Sequence, residues 1–233
     1  MLRRPPRGLT RGPRPPPGAR SAVTAVPLAH AEVGVRGTRP PLVLLHGLFG
    51  NHGNFQTVAK ALVQRGGGQV LTVDARNHGS SPHSPLMTFE AMSLDVQHLL
   101  AHLGIPKCIL VGHSMGGKTA MVLALQRHPQ VRQFLLTNLV ELEGRYVWRV
   151  NLDAISHHME DIMSFPVFHK PYPGPALFLG GSNSPYISSA DYPEIQRLFP
   201  KADVRFIEGA GHIVHQDKFE EFVTAVLSFL PPP

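Results

Sequence analysis

From residue 22 onward, short apolar runs alternate with amphipathic stretches of helical length, the pattern of βα units around a mostly parallel sheet. The expected strands are short and rich in branched residues. They lie within residues 22–35, which hold one or two, and at Leu42–Leu45, Val70–Val73, Cys108–Val111, Phe134–Val140, Ala176–Leu179 and Val204–Ile207. Between them, helical spacing predicts Phe55–Gln64, Phe89–Leu103, Lys118–Arg127, Ala154–Met163, Pro193–Phe199 and Phe219–Leu230. No internal repeat interrupts the series, and Pro231 to Pro233 close the last helix. No apolar run approaches the roughly 20 residues of a membrane-spanning helix. This predicts a soluble chain whose membrane contact, if any, is peripheral.

The charge changes the picture only at the start of the chain. Lys and Arg number 22 against 16 Asp and Glu, a net +6 over 233 residues. Six of the arginines (Arg3, Arg4, Arg7, Arg11, Arg14, Arg20) precede the first acidic residue, Glu32, so the remainder is balanced at 16 against 16. A balanced domain offers no basic face for nucleic acid. Residues 1–27 therefore read as an Arg/Pro-rich leader and 28–233 as the folded domain. An Arg-rich, acid-free leader with Ser21 and Thr24 and without a continuous apolar stretch fits a mitochondrial transit peptide, with the matrix as destination. The plainer alternative is a disordered tail with no targeting role. The single cysteine, Cys108, excludes an internal disulfide and lies in an apolar run, as a buried small hydrophobe would.

Three segments carry chemistry. Ile109 to Gly117 is an apolar strand running through Gly112-His113-Ser114-Met115-Gly116 into a helix, the nucleophile elbow. The tight turn leaves no room for side chains at Gly112 and Gly116, and it projects Ser114 at a helix N-terminus. There the Met115 N–H and the helix dipole can stabilise an oxyanion. Leu42 to Gly50 is a second strand, ending in His46-Gly47. Its loop can supply the other oxyanion donor at Leu48, with Phe49 and His113 lining an acyl pocket, while His46 reads as a structural residue. Val204 to His212 ends in Gly-Ala-Gly-His, a loop able to bring His212 back over the serine as general base, with His215 as a neighbour.

Together with Asp74 to Ser81 and Trp148 to Asp153, these segments resemble the α/β-hydrolase superfamily over nearly everything after residue 27. The resemblance implies an α/β-hydrolase fold and a mitochondrial serine hydrolase acting on acylglycerols or related esters. Ser114 would be its nucleophile and His212 its base. It also exposes two departures. The usual place for the triad acid reads Gly180-Gly181-Ser182-Asn183-Ser184, without a carboxylate. Asp153 is the carry-over candidate, equally readable as an N-cap of the helix from Ala154, with Asp191 and Glu141 behind it. Family members also insert a helical cap after the nucleophile helix, where only Arg127 to Glu143 stands here. With the cap missing, the acyl site should be shallow and exposed. Either a central strand is lost with the cap, leaving an apolar seam, or Phe134–Val140 replaces it.

Ester hydrolysis through an acyl-serine is the leading expectation, with a thioesterase open within it. The contrasting expectation is a catalytically feeble, cap-less variant binding an acyl ligand or a protein partner in the matrix. A haloalkane or epoxide hydrolase would carry an aspartate where Ser114 stands. No metal is expected, since His157 and His158 are adjacent and without a His-Glu-x-x-His or Cys pair. No cofactor is expected, since no Gly-x-Gly-x-x-Gly opens the first βα unit.

Overall fold

The computed structural model describes residues 23–126, 131–137 and 151–232, the last of these short of Pro233. The leader up to residue 22, Arg127 and residues 138–150, with Glu141 and Glu143, lie outside them. A seven-stranded sheet runs in the order β1-β3-β2-β4-β5-β6-β7. Its strands are β1 (His30–Val33), β2 (Leu42–Leu45), β3 (Val70–Val73), β4 (Cys108–His113), β5 (Val131–Thr137), β6 (Ala176–Gly181) and β7 (Ala202–Ile207). Only β1 is antiparallel to its neighbour, pairing His30 with Val73; the other pairings are parallel.

Period-two alternation divides the apolar strand residues between two cores. Val43, Leu45, Leu71, Val73 and Leu110 face one side of the sheet. There they meet Val96, Leu99 and Leu100 of α2 (Phe89–His102) and Ala120, Leu123 and Ala124 of α3 (Met115–Leu125). Leu42, Leu44, Val70, Ile109 and Val111 face the other. Their partners are Val58 and Leu62 of α1 (Gln56–Gln64) and Phe222, Val223 and Val226 of α8 (Phe219–Phe229). With both faces covered, β2 and β4 are buried at every residue, as a parallel strand between helical layers must be. Cys108 is among these core residues, and burial pushes its thiol up to about 12, which leaves it inert.

The remaining helices are short: α4 (Leu152–His157), α5 (Met159–Met163), α6 (Tyr192–Leu198) and α7 (Val214–Asp217). The single helix expected over Ala154–Met163 is two, because His158 leaves helical geometry at φ −109° and ψ 17°. The one-turn α7 was too short to show a period. The central strand is not lost: β5 occupies it, three residues earlier than Phe134–Val140, and bonds to β4 from Cys108 to His113 and to β6 through Phe134, Leu135 and Leu136. No apolar seam opens between β4 and β6. A chain segment needs only extended backbone and a slot between two parallel edges to complete such a sheet.

Candidate active site

The turn from β4 to α3 holds Ser114 at φ 53° and ψ −113°, a left-handed backbone that costs a non-glycine residue roughly 1–3 kcal/mol. The close approach around it needs glycine twice. A Cβ on Gly112 would run into the Gly116 carbonyl, and one on Gly116 into the Leu45 carbonyl at the end of β2. Ser114 is 9% exposed and sits at the N-terminus of α3, where its carbonyl accepts the Lys118 N–H at 2.8 Å.

The loop after β2 is held beside it by two histidines. His46 donates from Nδ1 to the Gly47 carbonyl at 2.7 Å and accepts the Ala75 N–H on Nε2 at 2.9 Å. His78 donates to the Arg76 carbonyl at 2.9 Å and accepts the Phe49 N–H at 3.2 Å. Each ring thus serves as donor and acceptor at once, which only the neutral form can do. Burial, with His46 as neighbour, holds His78 at about 3, and burial lowers His46 as well. The amides of Leu48 and Met115 donate to no other group among the described residues, and both residues line the cavity that Ser114 opens into.

That cavity measures about 320 Å³ and is mostly apolar, with Met121, Phe178, Ile187 and Phe199 in its walls. The expected shallow site is not found. Ile162 and Met163 of α5, Phe165, and Ile195 and Leu198 of α6 wall the space in place of a cap. Lys118, which the sequence analysis did not single out, fastens this wall. Its Nζ donates to the carbonyls of Ile162, Met163 and Ser164 at 3.0, 3.1 and 3.1 Å, the open C-terminal end of α5, and burial lowers its pKa. Lys118→Met is expected to cost about 1–3 kcal/mol in urea unfolding and to raise KM for long-chain more than for short-chain esters. An equal KM change for both would remove Lys118 from the acyl wall.

His212 reaches the same cavity from the loop after β7. Its ring lies 4.2 Å from that of Tyr186 and 5.7 Å from that of His113, centroid to centroid. Its Nε2 is buried without a hydrogen-bond partner among the described residues, and burial together with His215 lowers it to about 3. Ser114, His212, Leu48 and Met115 are therefore brought together. Three other expected residues are not. Asp153 is exposed in the first turn of α4, whose N-cap is Asn151 and not Asp153, and it makes no bond to His212; the group at His212 Nδ1 is the Ser184 hydroxyl, at 3.4 Å. Phe49, turned by its φ of 62°, is 40% exposed and does not line the cavity. His113 is buried outside the cavity lining, against His212 and His215. A Cβ on Gly47 would approach its ring to 2.8 Å. Among the described residues no cluster suited to a metal ion occurs.

A serine on a strand-to-helix elbow, two amides that have no partner among the described residues, a histidine on the same apolar cavity and a parallel sheet beneath define a serine hydrolase of carboxylic esters. The chain belongs to the α/β-hydrolase family: a family model described as alpha/beta hydrolase fold matches residues 40–161. It is 48% identical to the sn-1-specific diacylglycerol lipase ABHD11 of Xenopus laevis, over 82% of this chain and 80% of that protein. It is 30% identical to Esterase YbfF of Escherichia coli (strain K12), over 82% of this chain and 92% of that one. A solved marine microorganism esterase superposes with a TM-score of 0.80 at 27% identity, over 88% of this chain and 100% of the other. The match to the Xenopus protein spans 248 aligned positions, yet 82% of 233 residues is 191, so about 57 of those positions have no residue in this chain.

Proposed function

We propose that this protein hydrolyses neutral acylglycerols of the diacylglycerol type through an acyl-serine intermediate. The observation that carries the reading is Ser114 at the α3 N-terminus, opening into an apolar cavity lined also by Leu48 and Met115, whose amides have no partner among the described residues. His212 Nε2 takes the Ser114 proton as Oγ attacks the ester carbonyl, and the two amides hold the oxyanion. The tetrahedral adduct collapses, breaking the C–O bond, and the leaving alkoxide takes the proton from His212. Water then attacks the acyl-enzyme, giving its proton to His212, and the fatty acid leaves as Ser114 is reprotonated.

The substrate class follows from the cavity. Its volume of about 320 Å³ falls within the range of small-molecule sites. Its apolar walls suit an acyl chain; of the charged residues that line it, Glu194 is paired with Arg197 and Lys118 is bound to the end of α5, and Asp191, with no cation paired to it among the described residues, opposes an anionic head group. The diacylglycerol lipase activity in the names of relatives 44–48% identical supports the same choice. The Arg-rich, acid-free leader supports delivery to the mitochondrial matrix.

A fluorophosphonate probe should label the folded protein at Ser114, located by peptide mass. Diacylglycerol should be hydrolysed faster than phosphatidylglycerol of the same acyl chains. Labelling elsewhere, or none where a control hydrolase labels, overturns the nucleophile; a preference for the phospholipid overturns the substrate class.

A further inference from the structure

The loops after β6 and β7 lie directly on one another because Gly181 has no side chain. A Cβ there would run into the carbonyls of Ala210 and Gly211. Across this contact the Ser182 N–H donates to the Ile207 carbonyl at 3.0 Å, the Asn183 N–H to the Ala210 carbonyl at 3.0 Å and the Gly209 N–H to Ser182 Oγ at 2.8 Å. The Gly211 N–H donates to Asp217 Oδ2 at 2.8 Å, which ties the histidine loop to α7. These bonds fix residue 184 relative to residue 212. Ser184 Oγ faces His212 Nδ1, and Tyr186 lies over the ring.

We infer that Ser184 is a positioning residue of the reaction, its hydroxyl oxygen accepting the Nδ1–H of His212 so that Nε2 stays free of a proton for Ser114. The inference rests on the reading of Ser114 and His212 as nucleophile and base. A triad carboxylate does two things, orienting the imidazole and stabilising the imidazolium. A hydroxyl does the first and, being neutral, little of the second. Among the described residues, His113 of β4 and Tyr186 lie against the ring and His215 of α7 acts on it, while the carboxylates on the same loop or cavity, Asp217, Asp191 and Glu194, make no bond to it. Among the described residues nothing offsets burial and His215, which together lower His212 to about 3. The protein then has a correctly oriented but weak base. The 3.4 Å separation is also long for such a bond, which is strongest at about 2.7–3.0 Å. An aspartate at 184 would reach one bond further and bring a charge.

The test compares wild type with Ser184→Asp and Ser184→Ala, following hydrolysis of a short-chain p-nitrophenyl ester from pH 4 to 9 and the ring nitrogens of His212 by ¹⁵N NMR. Ser184→Asp should raise kcat at pH 7 by roughly 10-fold or more, within the ~10⁴-fold that an orienting acid supplies in a well-studied triad. The acid limb, which in the wild type lies below this window with His212 at about 3, should rise into it. Ser184→Ala should lower kcat with KM unchanged and increase the Nε2–H tautomer. A folded Ser184→Asp that leaves both the profile and the His212 nitrogen shifts at their wild-type values overturns the inference. Should that variant not fold, an unchanged tautomer in Ser184→Ala overturns it equally. The NMR readout does not depend on turnover, so failure of Ser114 labelling would defeat the catalytic reading while leaving the Ser184–His212 bond separately decided.

Discussion

Replacing Arg76 with methionine is expected to lower the unfolding free energy by about 3–5 kcal/mol, a large part of the roughly 5–15 kcal/mol that holds an ordinary domain together. Arg76 is 1% exposed. Its Nε and one terminal nitrogen bond both oxygens of Asp95, at 2.6 and 2.7 Å. The same guanidinium donates to the carbonyls of Leu86, Thr24 and Ala91, at 3.0, 3.1 and 3.3 Å. Asp95 in turn accepts the Val26 N–H at 2.7 Å. One buried pair thus ties the segment before β1 to α2 and to the loop after β3. Without Arg76, the Asp95 carboxylate is left in the core with the Val26 amide as its remaining donor among these bonds. The loss comes from a stranded charge and not from the worth of the pair, so Arg76→Met with Asp95→Leu should recover much of it. Urea unfolding of the single and double variants measures both quantities; a single variant within 1 kcal/mol of wild type would refute the account.

Acidification from pH 7 to 5 is expected to remove about 4 kcal/mol of stability, through His78 and His215 alone. In the unfolded chain a histidine titrates near 6.5 and takes up a proton over this interval. In the folded chain His78 sits at about 3 and His215 at about 4, both lowered chiefly by burial, so neither takes one. Stability is therefore complete above pH 6.5 and falls as pH drops toward the folded values. One and a half pH units at 1.36 kcal/mol per unit give about 2 kcal/mol for each ring. His46 and His113, also lowered by burial, act in the same sense. Asp95, raised by burial against the pull of Arg76 and Val26, acts in the opposite one and returns part of the loss. Thermal melts at the two pH values check the sum: a Tm unchanged between them would mean these histidines are already charged when folded.

The rings responsible for that sensitivity are also those that shape the site. His46 and His78 hold the Leu48 loop through neutral imidazoles, so a proton on either Nε2 would break the bond to Ala75 or Phe49. Stability therefore begins to fall below about pH 6.5, where the unfolded rings take up protons, while the folded loop keeps its His78 bond until pH approaches about 3.

Much of this was legible in the residues alone. Apolar runs of four to six residues separated by amphipathic stretches set the strands and helices, because burial on two faces leaves few polar positions, such as Thr72 in β3. Gly112-x-Ser114-x-Gly116 announced the elbow, because only glycine tolerates the contacts made there. The arginine leader accounted for the whole net charge by counting. Each of these depends on neighbours within a few positions along the chain.

What surrounds Ser114 depends on residues far apart, and only the tertiary structure decided it. Asp153 and Ser184 were both within the segments singled out by sequence, and the carboxylate was the natural choice as partner for a histidine. The folded chain leaves Asp153 in solvent and places Ser184 against His212, because Gly181 lets two loops from neighbouring strands touch. Val131–Thr137 likewise became a central strand because β4 and β6 left an edge to fill, and α5 and α6 close the acyl cavity because Lys118 binds the end of α5. Local pattern determines which residues can turn, cap or lie in a sheet. Which of them meet is settled by packing and backbone pairing across the fold, which the order of residues along the chain does not display.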